Sequence, residues 1–222
     1  EYLQNNPGWH IEDSPWKAKQ ILKILNKNEL QPQNLVEIGC GAGEILNQLH
    51  QQMNNKVNFY GYEISPDAFA LAMSRSKERL NFFNEDLIEK NVFFDVLLMI
   101  DVFEHVEDYI GFIKKCKNVA IYKIFHIPLD ISILSVLRVT PITNVRQSVG
   151  HLHYFTKETA LGTLKDAGYE ILDYFYTPGM LELSGKGFKT KLLNPFRKIL
   201  FSINPDFAVR FLGGYSLLVL TK

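Results

Sequence analysis

Two cysteines, Cys40 and Cys116, stand in 222 residues. That is too few for a disulfide framework, and reduced thiols in a cytoplasmic setting are expected. Net charge is missing too: 24 basic residues offset 24 acidic ones. A non-specific nucleic-acid binder usually carries a basic surplus, so that class is demoted. No apolar run approaches the roughly 18 residues that a membrane-spanning helix needs. The longest, "VFFDVLLMI", carries Asp95 and reads as a buried strand. The first residues show no signal-peptide pattern. The chain begins with Glu1 rather than Met, so a removed leader stays open. Internal repeats and low-complexity tracts are also absent.

What is present is a globular composition, 46% apolar and 22% charged, enough for a packed core. The length suits one large domain with small appendages. Strand-like and helix-like segments alternate, which argues for an α/β domain with a parallel sheet. "SPWKAKQILKILNK" opens as a helix, with Ser14 as its cap and Pro15 at the first helical position. Strands follow at "NLVEIG", "KVNFYGYEI", "RLNFFNEDL", "FFDVLLMID" and "NVAIYKIFHI", separated by "GEILNQLHQQM", "PDAFALAMSRSKE" and "VEDYIGFIKKCK" as helices. The fourth strand is the most apolar, as a strand covered on both faces should be. Residues 128 to 155 break this rhythm with Pro128, Pro141 and Gly150 and read as an insertion over the sheet. "TKETALGTLKDAGYE" restores a helix between Thr156 as cap and Gly168 as stop. "EILDYFYT" and "YSLLVLTK" are the last two strands.

The chemistry begins at "NLVEIGCGAGEIL", where Gly39, Gly41 and Gly43 separate a strand from a helix. Glycines let backbone approach a ligand without Cβ interference, and the helix start adds free N–H groups. Alone, such a cluster is more often a structural turn. Here Glu63 ends the second strand and Asp86 the third, at the same edge as Glu37. An acid at 63 can accept hydrogen bonds from both ribose hydroxyls of an adenosine ligand. The dinucleotide fingerprint G-x-G-x-x-G would need a third glycine where Glu44 stands. The pattern found suits a ligand without phosphate and with a positive centre.

"VEIGCGAGEIL", "GYEIS", "NEDL" and "FFDVLLMIDVFEHVED", in this order and spacing, resemble the class I S-adenosylmethionine-dependent methyltransferases. "GHLHYFTKETALGTLKDAGYEIL" and "GGYSLLVL" are similar to later segments of that family. The resemblance implies a doubly wound, mostly parallel seven-stranded sheet whose antiparallel last strand lies beside the fifth. It implies S-adenosyl-L-methionine as cofactor. Glu37, Gly39, Gly41 and Gly43 would line its methionine and ribose end, with Cys40 a small packing residue of the same loop. Glu63 would hold the ribose, Ile64 pack on adenine, Asp86 and Leu87 face the adenine edge, and Asp101 lie near the sulfonium.

Methyl transfer to a hydroxyl or an acidic carbon benefits from a general base, for which histidine suits best. His105 and His126 follow the fourth strand and end the fifth, at the ligand edge. His151 and His153, two apart in "GHLHYF", look like a metal pair but lack a supporting ligand set, so no metal is expected. Trp9, His10 and Trp16 sit where family members close over the cofactor. "GKGFKTKLLNPFRKILFSI" carries Lys186, Lys189, Lys191, Arg197 and Lys198 without an acid. It reads first as an amphipathic cap on the substrate pocket with a solvated basic face, and second as a membrane-surface or lipid contact.

One methyltransferase domain over residues 1 to 222 is therefore expected, acting on a small molecule without a metal. Residues 1 to 30 form a helical cap, and 128 to 150 and 180 to 212 form substrate-side insertions. Two rivals remain: a non-catalytic S-adenosylmethionine-binding partner or regulatory protein, and an NAD-dependent oxidoreductase. The acceptor and the oligomeric state stay open.

Overall fold

The computed structural model describes residues 11–183 and 188–222. Trp9, His10 and Lys186 lie outside them. Seven strands form one sheet: β1 Asn34–Ile38, β2 Asn58–Tyr62, β3 Leu80–Phe83, β4 Phe94–Ile100, β5 Ala120–Leu129, β6 Ile171–Thr177 and β7 Tyr215–Thr221. Their order is β3-β2-β1-β4-β5-β7-β6. β7 runs antiparallel to both β5 and β6, and the β1–β5 pairings are parallel. This is the expected sheet, including the inserted antiparallel last strand.

The apolar strands are buried from both sides. Leu97 and Met99 of β4 join one core cluster, and Val96, Leu98 and Ile100 join the other. Such strands need helices on each face. On the second face lie α1 Ser14–Lys27 and α2 Glu44–Gln52, with Ala72 of α3 Pro66–Met73. Ala18, Ile21, Ile24 and Leu25 make the buried stripe of α1. On the first face lie α4 Tyr109–Cys116 and, with Ala160 and Leu164, helix α7 Lys157–Asp166. Between β5 and α7 the chain forms α5 Ile133–Arg138 and α6 Thr140–Ser148. After β6 come the single turn α8 Gly179–Glu182, then α9 Phe188–Ile203 and α10 Pro205–Leu212.

Helix boundaries follow local chemistry. Thr156 and Thr159 close a reciprocal capping box at α7, and Gly168 ends that segment at φ +87°. Ser14 departs from expectation: Asp13 takes the cap position, and Ser14 is a buried first helical residue. The segment expected only as an irregular insertion holds two short helices, the first closed by a Ser132–Ser135 capping box. Arg197, expected on a solvated basic face, is buried and donates to the Gly213 carbonyl at 2.9 Å. The exposed side chains of α9 include Phe196, Ile199 and Ile203.

The register sets the functional edge. Ile38 lies opposite Tyr62 and Met99, Tyr62 opposite Phe83, and Ile100 opposite His126. The residues that follow these strand ends, Gly39, Glu63 and Asp101, therefore leave the sheet at one edge. Strand order reverses between β1 and β4, where a doubly wound sheet opens a crevice for ligands.

Candidate functional site

A cavity of about 580 Å³ opens at that edge, within the usual range of roughly 300–1,000 Å³ for small-ligand sites. The loop from β1 to α2 forms one wall. Gly39, Gly41 and Gly43 all have positive φ, at 65°, 55° and 76°, a region that costs other residues energy. Gly43 is also sterically fixed, since a Cβ there would meet the Phe82 ring at 2.5 Å. Glu63 is locked against this loop. One carboxylate oxygen accepts from Gly41 N–H at 2.9 Å and the other from Ser65 N–H at 2.7 Å. Each oxygen keeps a lone pair for a further donor. Beside it Ile64 is 73% exposed, an uncovered apolar face at the cavity rim.

Beneath the loop Glu37 is buried, and its Oε2 has no partner among the described residues. Burial pushes its carboxyl well above the usual range, with Lys17 opposing and Glu63 and Asp101 adding. Such a group holds a proton or needs a cationic donor.

Asp101 closes the far wall. It follows β4 in the left-handed region, φ +54°. Its Oδ1 lies 2.6 Å from His126 Nδ1 and its Oδ2 2.8 Å from Lys17 Nζ. Burial disfavours its charge, yet His126 and Lys17 hold it well below the ordinary carboxylate range. Burial works against Lys17 as well, but Asp101 beside it raises the ammonium above its usual value. The second nitrogen of His126 is 2.9 Å from the Thr177 hydroxyl. Both ring nitrogens are thus engaged, one by Asp101 and the other by Thr177. Trp16 meets the His126 ring edge-on at 6.1 Å, and its indole N–H donates to Glu182 at 2.7 Å.

A second group lies at the other end. His105 lines the cavity, with Nδ1 3.2 Å from the Gly150 carbonyl. His151 also lines it, with Nδ1 2.7 Å from Asp130. Glu104 is buried behind them, and burial, reinforced by Asp101, pushes its carboxyl well above the normal range. His153 turns away to the Val106 carbonyl at 2.9 Å. The His151–His153 pair suggested by sequence spacing therefore does not converge.

Of the expected site residues, the cavity brings together Glu37, Gly39, Cys40, Gly41, Glu63, Ile64, Asp101, His105 and His126. Gly43, Asp86 and Leu87 are not part of its lining. Gly43 shapes the loop, the Asp86 carboxylate accepts from Ile88 N–H at 2.9 Å, and the Leu87 side chain is core. Cys40 is buried, which raises its thiol well above the reactive range. None of the described side chains of α9 lines the cavity, whereas Leu183 of the preceding segment does. Lys17, Thr177, Glu104 and Asp130 were not singled out. Nothing local marks them: Lys17 is one polar residue of an amphipathic helix, and its partner stands 84 positions away.

The strand order with its inserted β7, and a glycine loop facing an acid at the end of β2, define the class I methyltransferase architecture. A family model for a methyltransferase domain matches residues 9–174. The chain belongs to that family. It is 28% identical over 112 residues to norajmaline N-methyltransferase of Rauvolfia serpentina, a match spanning 47% of this chain and 38% of that enzyme. A magnesium protoporphyrin IX methyltransferase from Synechocystis, solved with bound S-adenosylhomocysteine, superposes with a TM-score of 0.62 at 16% identity. That superposition covers 93% of this chain and 82% of the other. An S-adenosylmethionine-dependent methyltransferase from Geobacter sulfurreducens gives 0.65 at 13% identity, covering 100% and 96%.

Proposed function

We propose that this protein transfers a methyl group from S-adenosyl-L-methionine to a small-molecule acceptor. The observation that carries the proposal is Glu63. Its carboxylate is fixed by two backbone N–H groups at the cavity wall, next to the exposed face of Ile64. That pair offers acceptors for ribose hydroxyls and an apolar face for adenine. The methionine end of the donor is a zwitterion. Lys17, Asp101 and the unpartnered oxygen of Glu37 supply charges and an acceptor of the matching kinds on the opposite side.

In the reaction a lone pair of the acceptor attacks the methyl carbon. The carbon–sulfur bond breaks, and its electrons neutralise the sulfonium to give S-adenosylhomocysteine. The donor is already activated, so positioning and exclusion of water supply much of the rate. His126 and Lys17 hold Asp101 in place. His105 lies at the acceptor end, where Val149 and Leu183 of the two insertions also reach the cavity. These insertions shape the acceptor pocket. The names of the two similar enzymes give norajmaline and magnesium protoporphyrin IX as acceptors, both small molecules, which supports that class here.

Calorimetric titration with S-adenosylhomocysteine tests the donor, and absence of heat at millimolar ligand would sink it. Transfer of labelled methyl groups to small molecules of a cell extract tests turnover. Donor binding without any labelled product would favour a non-catalytic binding protein.

A further inference from the structure

We infer that Glu104, His105 and His151 form a binding site for a divalent first-row transition ion, of the Zn²⁺ type, on the acceptor side of the cavity. Each offers a ligand atom, and these atoms lie within 4.8 Å of one another. In sequence His151 pairs with His153. In the fold it joins Glu104 and His105, more than forty positions earlier.

Glu104 is the strongest indication. It is 0% exposed, and neither carboxylate oxygen has a hydrogen-bond partner among the described residues. A buried carboxylate needs a proton or a cation. Lys17, the ammonium near this group, is committed to Asp101. The histidines are arranged as metal ligands are. Metal-bound imidazoles usually give their other ring nitrogen to a carboxylate or a carbonyl, which fixes tautomer and orientation. His151 Nδ1 meets the Asp130 carboxylate at 2.7 Å, so Nε2 is the nitrogen left to ligate. His105 Nδ1 meets the Gly150 carbonyl at 3.2 Å, and its Nε2 lies 4.0 Å from Glu104 Oε1.

The backbone prepares the same meeting. The Glu104 carbonyl accepts from Leu152 N–H at 2.8 Å and His153 N–H at 3.2 Å. The turn carrying Glu104 and His105 is thus bonded to the segment carrying His151. Zinc–ligand bonds of about 2.0–2.2 Å put tetrahedral ligand atoms roughly 3.4 Å apart. The observed separations therefore close by shifts of about an ångström per side chain. Two imidazoles and one carboxylate leave coordination positions open, as in catalytic rather than structural sites.

His105 and His151 line the cavity while Glu104 stands behind them. The open positions accordingly face the acceptor end and favour an acceptor with an oxygen donor. This last point rests on the methyl-transfer reading; the existence of the site does not.

The test uses the full chain, stripped with a chelator and dialysed. Co²⁺ is titrated and followed by its visible absorption, with Zn²⁺ as competitor. Uptake of one equivalent is expected, displaced by Zn²⁺. Glu104→Gln and His151→Gln should each weaken it by about tenfold or more. S-adenosylhomocysteine binding, measured by calorimetry on the same samples, reports folding and the donor site separately. Wild-type protein that takes up no Co²⁺ at millimolar concentration overturns the site. So does uptake that both substitutions leave unchanged. Cobalt uptake without nucleoside binding keeps the metal site and removes the donor assignment instead.

Discussion

Replacing Gly43 by alanine perturbs the loop between β1 and α2 at one atom. Gly43 has φ +76°, and an added Cβ would lie 2.5 Å from two atoms of the Phe82 ring and 3.2 Å from the Ala72 methyl. The left-handed backbone costs a non-glycine residue about 1–2 kcal/mol. Phe82 is 6% exposed and packed in a core cluster, so the ring cannot yield freely. Overpacking of that kind costs about 1–3 kcal/mol. Together the two effects predict a loss of about 2–5 kcal/mol, or roughly 5–15 °C in Tm for a chain of this size. Gly162→Ala is the matched control. It lies inside α7 with nothing within 4 Å of its new Cβ, and should gain about 0.5–1 kcal/mol. Urea unfolding and thermal unfolding followed by circular dichroism read both. A Gly43→Ala protein within about 1 kcal/mol of wild type would refute the claim that Phe82 and the backbone jointly require glycine.

Other outcomes follow from the same geometry. Glu63→Ala removes an acceptor for two ribose hydroxyls, and hydrogen bonds to a charged group contribute about 1.5–3 kcal/mol each. S-adenosylhomocysteine affinity should fall about 100-fold or more by calorimetry, and unchanged affinity would take Glu63 out of the ribose role. Lys17→Met breaks the bond to Asp101 and should cost stability over a defined pH window. The lowered Asp101 contributes above its unfolded value of 3.8 and loses that contribution as pH falls through its folded value. The raised Lys17 contributes below 10.5 and loses it as pH rises through its folded value. The wild-type advantage should be greatest between those two values and shrink outside them. A pH-independent difference would mean that packing, not the ion pair, is responsible. Glu104→Gln has the opposite sign. With metal removed, the raised Glu104 carboxyl makes wild type lose stability as pH climbs above 4.5. The variant should be more stable by about 1–3 kcal/mol at pH 7 and nearly equal to wild type at pH 4. A variant less stable at pH 7 would place an unseen partner on that carboxylate.

The architecture was legible because its signals are local. A strand covered on both faces needs an unbroken apolar run, and "VLLMI" supplies one to two separate core clusters. A helix packed on one side needs the stripe that Ala18, Ile21 and Leu25 provide. Three glycines between a strand and a helix announce positive φ, and an acid at the end of the next strand meets that loop through the Gly41 N–H. Each of these depends on neighbours a few residues away. Asp86 and Leu87 lie just beyond the third strand: β3 stops at Phe83, and in the turn that follows the Asp86 carboxylate accepts from Ile88 N–H while Leu87 is buried in the core.

What only the tertiary structure decided is which charged groups meet. The parallel register of β4 and β5 sets Ile100 opposite His126, and this brings Asp101 within 2.6 Å of that ring. Packing of α1 over the same edge then adds Lys17, and β6 adds Thr177. His126, offered by the sequence as a candidate base, thus has both ring nitrogens engaged by groups from the end of β4 and from β6. In the same way His151 leaves its sequence neighbour His153 and joins Glu104 and His105 across a backbone-bonded turn. Periodicity and turn chemistry act within a few residues and are written in the chain. The distances that decide a site's electrostatics are set by sheet register and by helix docking, between residues that lie 25 to 84 positions apart in the chain.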